Sequence, residues 1–496
     1  MSRYIIDNRQ FIVSKKRYFA EGWKVEQIIN GLWLSYQKNL RVFICKDIIL
    51  IGDAWQIDPN LPSPEEQIKS IINEEYLEKD ICEIESHWCG RYVLIVKEML
   101  FLDACGTLGV FYGNGCVSSS LNVLCALNEI KPIYPKIKHR LMPNFLLGRN
   151  TPYKEIFRLL PSQKLNIKTW IPQPKQIIPE MPVLSNEERT QLFINCFSAS
   201  LKNMCLHFPE RDFWLALTGG VDSRTALSLL EASKIQYKTF TLQTETISQG
   251  DIEVPFELCN RLSKKHLYVE TKRCKDYKKR LKDFDAHTTG MVVDYDRSFF
   301  ANDSYQSLLD SGKDAVVLRS SIWETVILYL SHGNLEMPDI RKLWTGILLS
   351  EETEKSLNDY FAFLQSDKIN NVEKPNRVFF DLRDGCWLSS NEQSYDIYEN
   401  LTSVQPCNSR YFLALLFGYD RDLRTKKNHQ KLIIQRACEK IQNVPYDSLL
   451  VTKKKIVRYA KKSFLKMLLV TWLLKEFGLR KVFKFYSSRA RIKRTE

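Results

Sequence analysis

The chain has 496 residues, enough for two or three domains and a large core. Its 44% hydrophobic and 26% charged content is ordinary for a soluble globular protein. The opening MSRYIIDNRQ lacks the apolar core of a signal peptide, and no stretch reaches the ~18–20 uninterrupted apolar residues of a spanning helix, so a cytoplasmic setting is expected.

Thirteen cysteines occur singly without a C-x-x-C pair, which fits reduced thiols, and seven dispersed histidines suggest no zinc site. The net charge of +14 is unevenly placed. Residues 451–496 hold fifteen Lys and Arg against two Glu, a difference of +13, which leaves the body near +1.

Residues up to about Trp170 read as β-rich, with short apolar runs broken by glycine turns. Leu40–Gly52 predicts two strands and Arg91–Val96 another, followed by Leu100–Tyr112 and Gly115–Leu124. The stretch 171–184, IPQPKQIIPEMPVL, carries four prolines and reads as an extended linker. Ser185–Leu206 predicts an amphipathic helix.

The rest of the chain is organised around residues 213–232, FWLALTGGVDSRTALSLLEA. Phe213–Leu217 has the unbroken apolar character of a strand buried on both faces. Thr218-Gly219-Gly220 turns the chain, and Ala226, Leu227, Leu229 and Leu230 then recur at helical spacing. A strand, a glycine turn and a helix N-terminus make an anion site from oriented N–H donors and the positive end of the helix dipole. Neither G-x-x-x-x-G-K-[ST] nor G-x-G-x-x-G occurs. Tyr237–Leu242, Asp251–Lys265 and His266–Val269 continue as strand, helix and strand, the alternation of a parallel sheet. Ala315–Leu318 is a further strand, residues 340–440 read as mainly helical, and Phe464–Tyr486 mixes apolar and basic residues.

Thr218-Gly219-Gly220-Val221-Asp222-Ser223 resembles the S-G-G-x-D-S loop of ATP-pyrophosphatases, which holds the β- and γ-phosphates of ATP during attack on the α-phosphate. Ahead of it, Gly90–Ile95, Leu102–Gly106, Val110–Tyr112 and Ser119–Leu121 together resemble the amidotransferase domain of asparagine synthetases. The resemblance spans about residues 40–455 and implies an α/β protein of two parts. Residues 1–170 would form an αββα sandwich of the N-terminal-nucleophile (Ntn) type and 171–184 a linker. Residues 185–455 would form a parallel α/β ATP-pyrophosphatase (adenine nucleotide alpha hydrolase-like) domain with a helical layer, and 456–496 a basic amphipathic tail.

By that resemblance the cofactors are ATP and Mg2+. Thr218, Gly219, Gly220, Val221, Asp222 and Ser223 would hold pyrophosphate, with Leu242 covering adenine or serving as ordinary core. Arg224 would add a phosphate contact or point to solvent. Asp222 and Glu324 would bind Mg2+, although Ser321 stands where the family's first acid does, and Glu324 is also readable as a helix-capping acid. Lys454, the middle of Lys453–Lys455, would be the catalytic lysine beside Asp222, or part of a solvated basic run.

Glutamine-hydrolysing members need cysteine directly after the initiator Met, and this chain has Ser2. Either Ser2 serves as an N-terminal nucleophile in its place, or, as the main reading, the implied enzyme lacks its own glutaminase, as in lactam-forming and lasso-peptide-cyclising relatives, and uses ammonia or another amine. Pyrophosphate-loop enzymes that put sulfur on transfer RNA usually carry paired cysteines, which are absent here. The R-x-P-F-L-D segment of true asparagine synthetases is also missing, which argues against aspartate as the acid. The tail 456–496 is open to four readings: an inner membrane surface, a pathway partner, nucleic acid, or packing on its own domain. A non-catalytic ATP-binding or scaffold protein, its basic tail contacting membrane or nucleic acid, remains the alternative function, while the near-neutral body argues against nucleic acid.

Overall fold

The computed structural model describes residues 8–127, 148–287, 300–327 and 351–446, apart from short gaps at 20, 59, 73–77, 152, 245–246, 272–274, 301, 303, 311, 368 and 370. Ser2, Lys454 and the segment 456–496 lie outside these residues.

The first half is built on two antiparallel sheets. Strands β1 (Phe11–Ser14), β2 (Trp23–Gln27), β3 (Trp33–Gln37), β4 (Val42–Cys45) and β5 (Ile48–Gln56) precede α1 (Pro64–Ile71) and α2 (Glu78–Ser86). Then come β6 (Trp88–Val96), β7 (Met99–Leu102), β8 (Phe111–Gly113), β9 (Cys116–Ser118), α3 (Leu121–Leu127), β10 (Phe157–Arg158), β11 (Gln163–Asn166) and β12 (Ile171–Pro174). One sheet runs β10-β8-β9-β1-β3-β2 and the other β12-β11-β7-β6-β5-β4.

Period-two burial explains the layering. Phe11, Val13, Leu34 and Val117 of one sheet meet Ile49, Ile51, Val93 and Ile95 of the other in a shared core. The alternate residues Ile48, Leu50, Tyr92 and Leu94 turn outward onto Ile68 of α1 and Ile81 of α2. On the far side, Ile12 and Cys116 pack on Val123 of α3. The layers are thus helices, sheet, sheet and helix.

In this half, two stretches depart from their sequence reading. Gly115–Leu124, expected as strand, divides into β9 and the helix α3, with Ser120 Oγ accepting the Val123 N–H at 3.4 Å. The proline-rich 171–184 opens as β12, which pairs with β11 as an edge strand, where prolines are tolerated.

The second half begins with α4 (Asn186–His207), started by a Ser185/Glu188 capping box. Next come β13 (Asp212–Ala216), α5 (Val221–Ser233), β14 (Lys238–Gln243), α6 (Gln249–Arg261), β15 (His266–Glu270), α7 (Tyr277–His287) and β16 (Ala315–Leu318). Further on lie α8 (Glu351–Ser366), α9 (Lys374–Phe379), a π-helical turn at Phe380–Leu388, α10 (Ser389–Ser394), β17 (Leu401–Val404), α11 (Arg410–Phe417), α12 (Arg421–Thr425) and α13 (Asn428–Ala437).

The five parallel strands run β15-β14-β13-β16-β17. Phe213, Leu215, Leu217, Val316 and Leu318 point to the face covered by α4, α5, α6, α11 and α13. Trp214, Phe240, Ala315 and Val317 point to the opposite face, against Phe300, Tyr305 and Tyr395. The edge strand β17 lies in a stretch read from sequence as mainly helical. No helix among the described residues is long and apolar enough to cross a membrane.

Buried polar contacts weld the halves together. Arg91 forms two hydrogen bonds with Asp396, at 2.8 and 2.6 Å. Asp103 accepts from the Thr107 and Leu108 N–H groups and from Asn408 Nδ2 at 2.8 Å. Arg158 donates to the Gly385 and Cys386 carbonyls of the π-helical turn, at 3.0 and 2.6 Å. A Cβ on Gly385 would stand 2.3 Å from Pro161 Cδ, so glycine permits that close approach.

Candidate functional site

The strand order reverses between β13, flanked by β14, and β16, flanked by β17. In open α/β sheets ligands sit outside the carboxyl ends of strands at such a switch point. A cavity of ≈ 330 Å³ opens there, lined by residues that follow β13, β14 and β16. Of the residues singled out in the sequence, Thr218, Asp222, Ser223, Leu242 and Glu324 line it, while Gly219, Gly220, Val221 and Arg224 do not. Phe240, Ile247, Asp251, Tyr305, Arg319, Ser321, Arg383 and Tyr395 complete much of its wall.

The loop takes its shape from its own hydroxyls. Thr218 N–H donates to Ser223 Oγ at 3.1 Å, while Ser223 Oγ donates back to Thr218 O at 3.2 Å. Gly220 is the N-cap of α5 at φ −76, ψ 171 and provides no side-chain cap. Any residue could adopt that backbone, and a Cβ there would meet Thr218 Oγ1 at an ordinary 3.6 Å. What glycine contributes is an uncovered approach to the first amides of α5, with Val221 as the first helical residue.

One loop amide already has an anionic partner: Gly219 N–H donates to Asp251 Oδ1 at 2.7 Å. Asp251 also receives Ser248 Oγ at 3.1 Å, and Ser248 caps α6. The sequence marked Asp251 only as a residue near the start of a helix. Its reach across to the loop depends on β14 and β13 being neighbours.

Asp222, in the first turn of α5, accepts Gln430 Nε2 at 2.7 Å and Lys427 Nζ at 3.0 and 3.3 Å. Lys427 stands at the N-cap of α13 in the left-handed region, φ 54, ψ 22. Neither partner carries a sequence signal, since they come from 205 and 208 residues away.

Arg224 neither meets phosphate nor points to solvent, which corrects both expectations for it. Its side chain is buried, donates to the Val444 and Pro445 carbonyls, and lies 3.9 Å from the centre of the Tyr446 ring. Burial lowers its pKa to about 10. It ties α5 to the segment that runs on toward Lys453–Lys455.

Leu242, near the end of β14, packs against the Trp214–Phe240 cluster, as its reading as core has it, and also lines the cavity. Glu324 lies inside a short 3-10 turn, Ile322–Val326, and is not a cap of it. It pairs with Arg383 Nη2 at 3.4 Å, and Arg383 lies 3.3 Å from the centre of the Trp387 ring. Ser321 gives its N–H to Gln405 Oε1 at 3.1 Å.

Behind this wall is a group that the sequence did not single out. Asp384, next to Arg383 on the π-helical turn, is buried and accepts the Thr325 hydroxyl; burial pushes its pKa up to about 8. His429, beside Tyr419, is pushed down to about 4 by burial, and its Nδ1 meets Leu423 O at 3.2 Å.

Magnesium takes carboxylates together with waters and phosphate oxygens. Asp222 and Glu324 each already face a cation of the protein, and Ser321 replaces the expected acid between them. Among the described residues no three acidic, histidine or cysteine side chains gather to hold a metal ion. As it stands, this donor set does not fit a magnesium site.

No family model matches the chain, and no curated protein matches it. Among solved structures it is similar to an NMN synthetase from Francisella tularensis, with 15% identity, 52% of this chain and 96% of that chain covered, and a TM-score of 0.23. It is similar to an NH3-dependent NAD synthetase from Campylobacter jejuni, with 17% identity, 41% and 95% coverage and a TM-score of 0.23. It is also similar to a glutamine-dependent NAD+ synthetase from Acinetobacter baumannii, with 14% identity, 46% and 42% coverage and a TM-score of 0.22. Scores this low assign nothing, so the functional reading rests on the site's own geometry.

Proposed function

We propose that this chain is an ATP-dependent, AMP-forming carbon–nitrogen ligase of the asparagine-synthetase type. It activates a carboxylate as an acyl-adenylate, releases pyrophosphate, and passes the acyl group to ammonia or another amine. The observation that carries this reading is the position of Thr218–Ser223. The loop joins a parallel strand to a helix N-terminus at the switch point and borders a cavity. The placement supports phosphates on the loop and adenine against Phe240, Leu242 and Ile247.

Negative charge builds on the α-phosphate as the acid attacks, and fixed cations nearby stabilise it. Arg319 and Arg383 line the cavity. Lys454 follows Tyr446 by eight residues, within about 28 Å of extended chain, so it too is a candidate for this role. The substrates are a small-molecule or peptide carboxylate and an amine, without a glutaminase of the chain's own. The basic segment 456–496 is proposed to contact an anionic membrane surface or a pathway partner; vesicle sedimentation unchanged by its deletion would remove the membrane form of that idea.

The test is ATP–pyrophosphate exchange over a panel of carboxylic acids. Exchange is expected with at least one acid and should fall about 100-fold in Arg319→Ala, which removes a cation from the cavity wall. If no acid supports exchange and ATP does not protect the loop from proteolysis, the reading is wrong. The ion pairs on both expected metal ligands favour one second reading, an ATP-binding scaffold without catalysis. Its signature is protection by ATP with no exchange for any acid.

A further inference from the structure

Each carboxylate expected to hold magnesium is neutralised by a different element of the protein. Lys427 reaches both oxygens of Asp222 from the start of α13, and Gln430, one turn along, fills the same carboxylate. Arg383 reaches Glu324 from the π-helical turn. A divalent ion on Asp222 would stand beside the Lys427 ammonium, and one on Glu324 beside the Arg383 guanidinium. Like charge opposes both positions.

The same arrangement suits a polyphosphate. With Lys427 in place, Asp222 presents little net negative charge at the mouth of the loop. Arg383 lines the cavity with its guanidinium carbon 3.3 Å from the centre of the Trp387 ring, and a guanidinium placed on an aromatic ring can offer phosphate oxygens a fork of donors. We infer that this site binds the ATP triphosphate without a divalent metal, with Lys427 cancelling the Asp222 charge and Arg383 contacting phosphate. The inference rests on the ATP-binding reading above.

The experiment measures ATP affinity of the full-length protein by equilibrium dialysis, in EDTA and in excess Mg2+. Wild type is expected to bind within about threefold in the two conditions. Lys427→Ala uncovers Asp222, so its affinity should fall about tenfold in EDTA and recover with Mg2+, whereas Lys427→Arg keeps the wild-type pattern. Arg383→Ala should lose about tenfold in both conditions. Circular dichroism checks that each variant is folded; Lys427→Gln and Arg383→Gln are the substitutes if one is not.

Wild-type binding that disappears in EDTA overturns the metal-free site while leaving the ATP reading intact. Lys427→Ala or Arg383→Ala with wild-type behaviour also overturns it. Failure to bind ATP in either condition overturns both.

Discussion

Arg91 and Asp396 meet at 2.8 and 2.6 Å with side chains only 6% and 1% exposed, whereas Lys427 and Asp222 meet at 3.0 Å with 27% and 22% exposed. The first pair joins the two halves of the molecule, and the second borders the cavity. A buried pair with saturated hydrogen bonds has no exchange partner, so removing one member strands a charge in a low dielectric. A pair that still touches water can trade a contact for a ligand at small cost. The difference separates a fixed frame from an adjustable site.

The largest expected effect tests the frame. Asp396→Ala leaves Arg91 buried without its carboxylate and should cost about 3–5 kcal/mol in urea denaturation. A loss near zero would show that the halves are not welded there. Gly385→Ala drives a methyl group into Pro161 and should cost about 1–3 kcal/mol by overpacking, read in the same assay.

Arg224→Ala leaves the Val444 and Pro445 carbonyls without their donor, and should cost about 1–3 kcal/mol. Exchange activity in that variant should fall by more than its folded fraction accounts for, because α5 is tied through Arg224 to the chain leading to Lys454. Equal losses would make Arg224 purely structural. At the bottom of the scale, Glu324→Gln breaks a pair whose members are 28% and 22% exposed and should change stability by about 0–1 kcal/mol. A loss as large as that of Asp396→Ala would erase the contrast.

Proton linkage sharpens it further. Asp384 is raised to about 8, so between about 4 and 8 the unfolded chain releases a proton that the folded chain keeps, and stability from this group falls as pH rises. Asp384→Asn should flatten the stability profile across that window. His429 is lowered to about 4, so between about 6.5 and 4 the unfolded chain binds a proton that the folded chain refuses. Stability from His429 therefore falls as pH falls, and His429→Gln should flatten the acid side. Thermal midpoints over a pH series read both.

Much of the fold was legible. The apolar run Phe213–Leu217, the glycine turn and the helical spacing after it predicted β13, the loop and α5 where they stand. Residues 40–52 divide into β4 and β5 as expected, and Ala315–Leu318 is β16. Other elements gave weak local signals. LTSV at 401–404 is a strand because β16 offers it a parallel partner, and IPQP at 171–174 because β11 leaves it an edge.

By itself, the sequence determined the loop and picked out Asp222 and Glu324 near it, because a strand–turn–helix is a local pattern of apolar period and glycine placement. Only the tertiary structure decided what those carboxylates do. Lys427, Gln430, Asp251 and Arg383 come from separate elements, and which charge meets which depends on the order of strands and the crossing of helices. Arg224 makes the same point in reverse. One turn into α5, it faces inward to carbonyls 220 and 221 residues away, because packing set its side of the helix.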